Sequence, residues 1–426
     1  MKGLKDTLAN LSRLRDRFGR LLSSASKRGG SQPTVLGRLP EVVGFGSNHS
    51  NLRMFAHVPK DLGESRALVV ALHGCTQTAA VYDHGSGWST LADAHGFAVL
   101  FPEQQRANNL NNCFNWFLAP DTRRDDGEAL SIRQMIERMI RDHAIDRRRV
   151  FIVGLSAGAA MTSAMLSIYP DVFAGGAIIA GLPYGSARNV QEAFQAMAKG
   201  SDRTARAWGD VVRNASDHRG SWPKISIWHG LSDAIVNPSN MEDALKQWID
   251  VHGVPVRPRI EHTIEGHLRR VWRTEVDEDV IEAVSIAGMG HGVPLASSQG
   301  VERCGNAGAF HFDVGVSSSH HILRFWGVAN NSVAVVKKPA KLTQPLVPAQ
   351  DEIPSLAARE SASNGEERYG TSPGNWQRHD PRPVIEAALK AAGLLSETSA
   401  QQGASNPLDP RQIITGTLRS VGLLRR

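Results

Sequence analysis

No stretch of this 426-residue chain approaches the run of about 18 uninterrupted apolar residues that a helix needs to cross a bilayer, so no membrane span is expected. Cysteine is scarce. Cys75, Cys113 and Cys304 allow one bridge and require none, and a chain of this size does not depend on disulfide staples for its core. A basic groove is lacking as well. The net charge is +6, but residues 1–28 carry Lys2, Lys5, Arg13, Arg15, Arg17, Arg20, Lys27 and Arg28 against Asp6 and Asp16, which accounts for the whole excess. The remainder is close to neutral, and nucleic acid is not an expected partner.

What the chain does have is a 41% hydrophobic content, enough for a sizeable core, arranged in four unequal parts. Residues 1–30 form a basic amphipathic leader, with Leu4, Leu8, Leu11, Phe18 and Leu22 on one helical face opposite the cations. Arginines interrupt the place where the apolar core of a secretory signal would lie, so export by that route is not expected. Residues 31–330 alternate between strand and helix patterns, which predicts an α/β fold with a mostly parallel, doubly wound sheet. Residues 331–380 are crowded with Pro, Ser, Ala, Gln, Asn and Glu and read as a disordered linker. In residues 381–426 a weak repeat sets Val384, Ile385, Leu389, Lys390, Gly393, Leu394 and Leu395 against Ile413, Ile414, Leu418, Arg419, Gly422, Leu423 and Leu424. Two short helices are expected there. With the leader, they are candidate elements for docking on a surface or partner.

The predicted strands of the body are residues 67–72, 98–101, 150–153, 177–179, 225–228 and 280–286, apolar runs that suit burial on both faces. Helices are expected over residues 131–143 and 157–169, the latter stopped by Pro170. Between a strand and that second helix lies Gly154, Leu155, Ser156, Ala157, Gly158. Strand, tight turn and helix together are the context of a nucleophile elbow, with small residues where side chains would strike neighbouring backbone. Ser156 is the candidate nucleophile, activated by a histidine because a serine hydroxyl is a poor nucleophile unaided.

The other chemical groups should follow their own strands. After residues 67–72 come His73, Gly74 and Cys75, so the Cys75 and Ala157 amides are the candidate oxyanion donors, and His73 reads as a structural histidine bonding loop carbonyls. After residues 225–228 comes Asp233, the candidate acid; Asp210, Asp217 and Asp243 do not follow a buried strand. After residues 280–286 comes His291, flanked by Gly290 and Gly292, the candidate general base. His311, His320 and His321 compete for that role from what reads as a final strand and helix.

These residues and the segments around them resemble the poly(3-hydroxybutyrate) depolymerase family of esterases, which is similar in turn to feruloyl and acetylxylan esterases. The resemblance rests on LVVALHGCTQT at 68–78, Trp88 with residues 91–103, CFNWF at 113–117, DRRRVFIVGLSAGA at 146–159, residues 169–173, GLPYG at 181–185 and the loops 229–233 and 288–291. It covers the catalytic body and nothing outside it. It implies an α/β-hydrolase fold, a serine carboxylic ester hydrolase with no metal or cofactor, and a triad of Ser156, Asp233 and His291. It further implies the Cys75 amide in the oxyanion hole, a Cys75–Cys113 bridge, and Trp116 as a wall of the substrate cleft, a residue that reads equally as a buried structural tryptophan.

The implied substrates are esters of short-chain hydroxyalkanoate polymers or oligomers, with acylated sugars as the alternative. Family members are usually extracellular. The leader, and the lack of a Thr-rich linker or polymer-binding module, depart from that pattern and leave a cytoplasmic esterase of soluble oligomers open. A reading of another class, a surface-associated scaffold with a vestigial hydrolase body, stands beside these. Acyl-chain length, polymer and oligomeric state do not follow from the sequence, because fold and triad do not select the acyl group or its acceptor.

Overall fold

A computed structural model describes residues 39–64, 66–297 and 304–329. All of them fall in the first of the two units into which the chain divides, Met1–Leu342. The basic leader, the linker at 331–380 and the two helical repeats at 381–426 lie outside the described residues.

Strands β1 (Arg53–His57), β2 (Leu68–Leu72), β3 (Ala98–Glu103), β4 (Val150–Leu155), β5 (Gly175–Ile179), β6 (Lys224–Gly230), β7 (Ile260–Ile264), β8 (His267–Arg273) and β9 (Asp279–Ile286) form one sheet in the order β1-β3-β2-β4-β5-β6-β9-β8-β7. The six central strands, β3 through β9 in that order, run parallel. Antiparallel β1 closes one edge and the antiparallel β7–β8 hairpin closes the other. A separate parallel pair joins β10 (Val293–Leu295) to β11 (His311–Asp313).

The alternation of side chains along a strand divides the core in two. Leu68, Val70, Leu72, Ile152 and Ile178 face one layer, against α3 (Gly127–His143), α4 (Ala157–Ile168) and α7 (Ser239–His252). Val69, Ala71, Val99, Phe101 and Val153 face the other, against α1 (Ala79–Ser86), α2 (Trp88–His95) and α8 (Ser318–Phe325). Trp88 is fully buried in that second layer and stacks on Trp326. Covering both faces is what makes the central strands continuous apolar runs, and it yields the α/β-hydrolase architecture. Among the described residues no helix is long and apolar enough to cross a membrane.

Helices α5 (Val190–Ala198) and α6 (Ala205–Arg213) fold out of the β5–β6 connection. The edge strands β1, β7 and β8 have no counterpart among the six strands expected from sequence. Their physical reason is exposure. Ile260–Ile264 has an exposed middle and His267–Arg273 carries three arginines, so neither presents the apolar run of a strand buried on both faces.

Cys75 and Cys113 are joined by a disulfide that closes a loop over 38 positions of sequence. Cys304 is buried, with its sulfur 3.1 Å from Ser317 Oγ. Loop closure of that length restricts the unfolded chain enough to stabilise the fold by about 4 kcal/mol. Replacing both residues by serine should therefore lower the unfolding free energy of the catalytic body by an amount of that order, read as a lower urea midpoint. A midpoint equal to the wild type's would show that the bridge does not constrain the unfolded chain.

Candidate active site

All of the parallel strands deliver their carboxyl ends to one rim, where loops from distant parts of the chain meet. At the centre, β4 runs straight into Ser156 and then α4. Ser156 has φ +58° and ψ −118°, outside the regions that a side-chain-bearing residue ordinarily occupies. Two glycines make the turn sterically achievable. A Cβ on Gly154 would stand 2.3 Å from the Gly158 carbonyl group, and one on Gly158 would stand 2.4 Å from the Leu72 carbonyl oxygen and 2.5 Å from that of His73. The turn is held by Ser156 N–H donating to Ile179 O at 3.0 Å and by Ala160 N–H donating to Ser156 O at 2.9 Å.

Beside the serine, the loop after β2 is pinned by buried polar groups. His73 Nε2 accepts from the Gln104 N–H at 3.1 Å, which fixes the proton on Nδ1, from which it donates to Gly74 O at 2.8 Å. Burial pushes the His73 imidazole down to about 4, so the ring is neutral and holds the loop as a structural group. Gly74 N–H donates to Gln77 Oε1 at 2.8 Å. The amides of Cys75 and Ala157 have no acceptor among the described residues, and Ala157, as the first residue of α4, has no helical carbonyl to bond. Cys75 lines the same cleft as Ser156, and Ala157 follows it in the chain, so two unpaired amides flank the serine in an arrangement that can hold a developing oxyanion.

The loop after β6 carries Asp233, and the loop after β9 carries His291. Gly230 lets these loops touch, because a Cβ there would lie 2.4 Å from Met289 O and 2.5 Å from Gly290 O. Leu231 N–H to Ile286 O and Ser232 N–H to Met289 O, both 2.9 Å, lace them together. His291 Nδ1 then stands 2.7 Å from Asp233 Oδ2, both residues buried. The other carboxylate oxygen accepts the N–H groups of Ile235 and Val236 at 2.8 and 2.9 Å. Burial opposes ionisation of Asp233, but the facing His291 charge and hydrogen bonds from His229 and His291 outweigh it and hold the carboxyl well below the usual range. His291 Nδ1 is committed to that carboxylate, and its ring, Ser156, Gly74, Cys75, Gln77, Leu155 and Phe310 line one narrow cleft. The ring sits edge to face against Phe310, centroids 6.2 Å apart.

Sequence reasoning gave no role to three residues here. His229 Nε2 lies 3.0 Å from Val236 O and 3.3 Å from Asp233 Oδ2, so one N–H braces the acid from the far side. Its signal was the four-residue spacing to Asp233. Gly230 was legible only as a glycine ending a strand. Phe310 carried no local signal, since it reaches the cleft from a segment near β11.

The competing residues lie elsewhere. His311 is buried with Nδ1 against Ala309 O, His320 stacks on His95, and His321 pairs with Glu265. Asp210 and Asp243 sit in α6 and α7 and hold Arg213 and Lys246, while Asp217 is exposed after α6. Larger cavities of about 350 and 270 Å³ contain none of Ser156, Asp233 and His291.

Trp116 is half-buried against the Cys75–Cys113 bridge and Ala157, edge to face with Phe117. Its segment hangs on buried Glu128, whose carboxyl accepts from Gln104 Nε2 at 2.5 Å, Asn115 N–H at 2.9 Å and Asn115 Nδ2 at 2.8 Å. Burial, then the charge of Asp121, push this carboxyl from 4.5 up to about 8 against those donors.

A family model for esterase PHB depolymerases matches residues 55–258. The chain is 48% identical over 291 residues to poly(3-hydroxyalkanoate) depolymerase C of Paucimonas lemoignei, covering 68% of this chain and 70% of that one. It is 34% identical over 262 residues to feruloyl esterase B of Thermothelomyces thermophilus, covering 60% and 87%. Among solved structures it is similar to an acetyl xylan esterase from Aspergillus awamori, with a TM-score of 0.58 at 24% identity over 69% of this chain and 100% of that one. That likeness shows the shared fold.

Gly158→Ala should cost about 1–3 kcal/mol of stability, because the added methyl meets fixed carbonyls and no flexible side chain. A variant with the wild-type urea midpoint would show the turn to be looser than this. Glu128 binds its proton more tightly folded than unfolded, so its stabilising contribution is full below about 4.5 and lost as pH rises to about 8. Buried His73, His252 and His311, each pushed down to about 4, act in the opposite direction, so the readout is a difference. The stability of wild type minus Glu128→Gln should fall with rising pH across that window. A flat difference would place the Glu128 carboxyl at its ordinary value.

Proposed function

The chain belongs to the esterase PHB depolymerase family and is a carboxylic ester hydrolase; from that premise we propose that it cleaves esters of short-chain hydroxyalkanoates, as polymer or oligomer, through an acyl-enzyme on Ser156. The observation that carries the chemistry is the buried 2.7 Å contact between Asp233 and His291, whose ring opens with Ser156 into one cleft.

In this reading the His291 Nε2 takes the proton of Ser156 Oγ as that oxygen forms a bond to the ester carbonyl carbon. Asp233 fixes the tautomer and stabilises the imidazolium. The negative oxygen lies between the amides of Cys75 and Ala157, each such donor lowering the barrier by about 3 kcal/mol. Collapse expels the alcohol with the proton returned by His291. Water, deprotonated by the same ring, then releases the acid and restores Ser156.

The hydroxyalkanoate preference is supported by the greater identity to the depolymerase than to the feruloyl esterase. Leu155, Phe310 and the disulfide make a narrow, largely apolar cleft, which favours a short acyl chain, with Trp116 as a wall on the bridge side. The second reading, an esterase of acylated sugars, is favoured by the feruloyl esterase relative. The leader and terminal repeats are proposed to dock the enzyme on a polymer or partner surface, a reading that rests on their sequence pattern.

Ser156→Ala should abolish labelling by an organophosphonate and lower kcat on p-nitrophenyl butyrate by roughly a million-fold. A variant that still labels and still turns over would identify a different nucleophile. Given hydroxybutyrate oligomers, feruloyl and acetyl sugars, and p-nitrophenyl esters of graded length, the wild type should show its largest kcat/KM on the oligomers. A larger value on the sugars would replace this reading with the second.

A further inference from the structure

A cavity of about 270 Å³ lies among the segment before α5, the α5–α6 connection and the first turns of α7, and shares no lining residue with the cleft of Ser156. Its polar groups are unbalanced. Trp208 is 1% exposed, yet its indole N–H has no partner among the described residues, and the buried hydroxyl of Ser186 has none there either. Both residues line the cavity, together with Lys199. An unpaired buried donor costs about 1–3 kcal/mol, so two of them in one cavity call for an acceptor inside it.

The acidic residues of the wall are already engaged. Glu192 accepts from the Arg188 N–H and from Asn189 Nδ2, both at 2.8 Å, and Asp243 accepts from the Ser201 N–H at 2.6 Å and from Lys246 at 2.9 Å. Lys199, by contrast, has no carboxylate within ion-pair distance among the described residues. Arg203 lies over the Trp208 ring at 4.5 Å and donates to Gly185 O, which holds that ring in place and adds positive charge. The cavity therefore sets the Lys199 and Arg203 cations and two unpaired polar groups beside two carboxylates whose oxygens already have donors. A carboxylate, acceptor-only and anionic, is the group that satisfies this set.

We propose that this cavity is a second binding site, for the carboxylate of a short hydroxy acid. Hydrolysis of an ester releases a carboxylate, and hydrolysis of a hydroxyalkanoate releases one with a hydroxyl that can bond the Gln195 amide at the rim. The choice of a hydroxy acid rests on the polyester reading of the Ser156 site; the preference for a carboxylate does not. The wall is joined to the catalytic acid's loop. Asn237 N–H donates to Met197 O at 2.8 Å, and Asn240 Nδ2 bridges Ala196 O and Asn237 O at 2.9 and 3.1 Å. A bound acid would thus tie α5 to the loop that begins at Asp233.

The test uses the full chain carrying Ser156→Ala, so that added esters persist, with its tryptophans labelled at the indole nitrogen for NMR. The Trp208 resonance is identified as the one lost in Trp208→Phe. Titration with sodium 3-hydroxybutyrate should move it along a saturable curve, while sodium chloride at matched ionic strength leaves it in place. Methyl 3-hydroxybutyrate, which lacks the anion, should bind at least about tenfold more weakly, and Lys199→Met should raise the Kd for the acid about tenfold. Lys199 is exposed, so that variant folds as the parent does. A resonance that stays still, or that responds equally to the acid, the methyl ester and chloride, overturns the proposal. Cleavage of hydroxybutyrate oligomers by the wild type, with no saturable shift in the Ser156→Ala chain, removes the second site and keeps the polyester reading. A saturable shift in the Ser156→Ala chain, with no oligomer cleavage by the wild type, does the reverse.

Discussion

The chemistry proposed for this protein depends on one buried hydrogen bond between two loops, His291 Nδ1 to Asp233 Oδ2. Neither loop could make it alone. The strands that launch them, β6 and β9, are parallel neighbours, so their carboxyl ends stand side by side at the same rim. Gly230 then removes the side chain that would hold the loops apart, and two backbone hydrogen bonds set their register. The carboxylate is braced on every side, by two amides, by His229 and by His291, which is how a charge remains ionised where burial opposes it.

A second constraint acts on the serine. Its backbone occupies a strained region, and such strain persists only where the surroundings over-determine it. Here the surroundings are a strand paired on both sides and a helix buried along its whole length, with glycines at the two positions where any Cβ would overlap backbone. The disulfide and the Glu128 network do the same for the segment that carries Trp116, fixing it to the loop of the Cys75 amide. Packing cost and catalytic geometry thus fall on the same few residues. The core supplies the rigidity that the rim uses.

Much of this was legible in the sequence, for a definite reason. A strand buried on both faces is a continuous apolar run, so the central strands announce themselves, and Ser156, Cys75, Asp233 and His291 could be picked out because each lies just past one. The edge strands β7 and β8 escaped because exposure removes that signal and leaves arginine and histidine in its place. Helices α5 and α6 fold out of a connection that offered no pattern from which its conformation could be derived. His229, Gly230 and Phe310 escaped because their parts exist only between loops that are distant in sequence. The Cys75–Cys113 pairing came from family resemblance; three cysteines could not specify it by themselves.

The most direct test is the rate at which an organophosphonate reacts with Ser156 in the Asp233→Asn variant, with circular dichroism checking that the fold is retained. An amide at this position cannot hold His291 in the tautomer that accepts the serine proton, and the reaction should slow by about 10³–10⁴-fold while the fold persists. A folded variant that reacts within tenfold of the wild type would contradict the account, since the bond from Asp233 to His291 would then have no part in activating the serine.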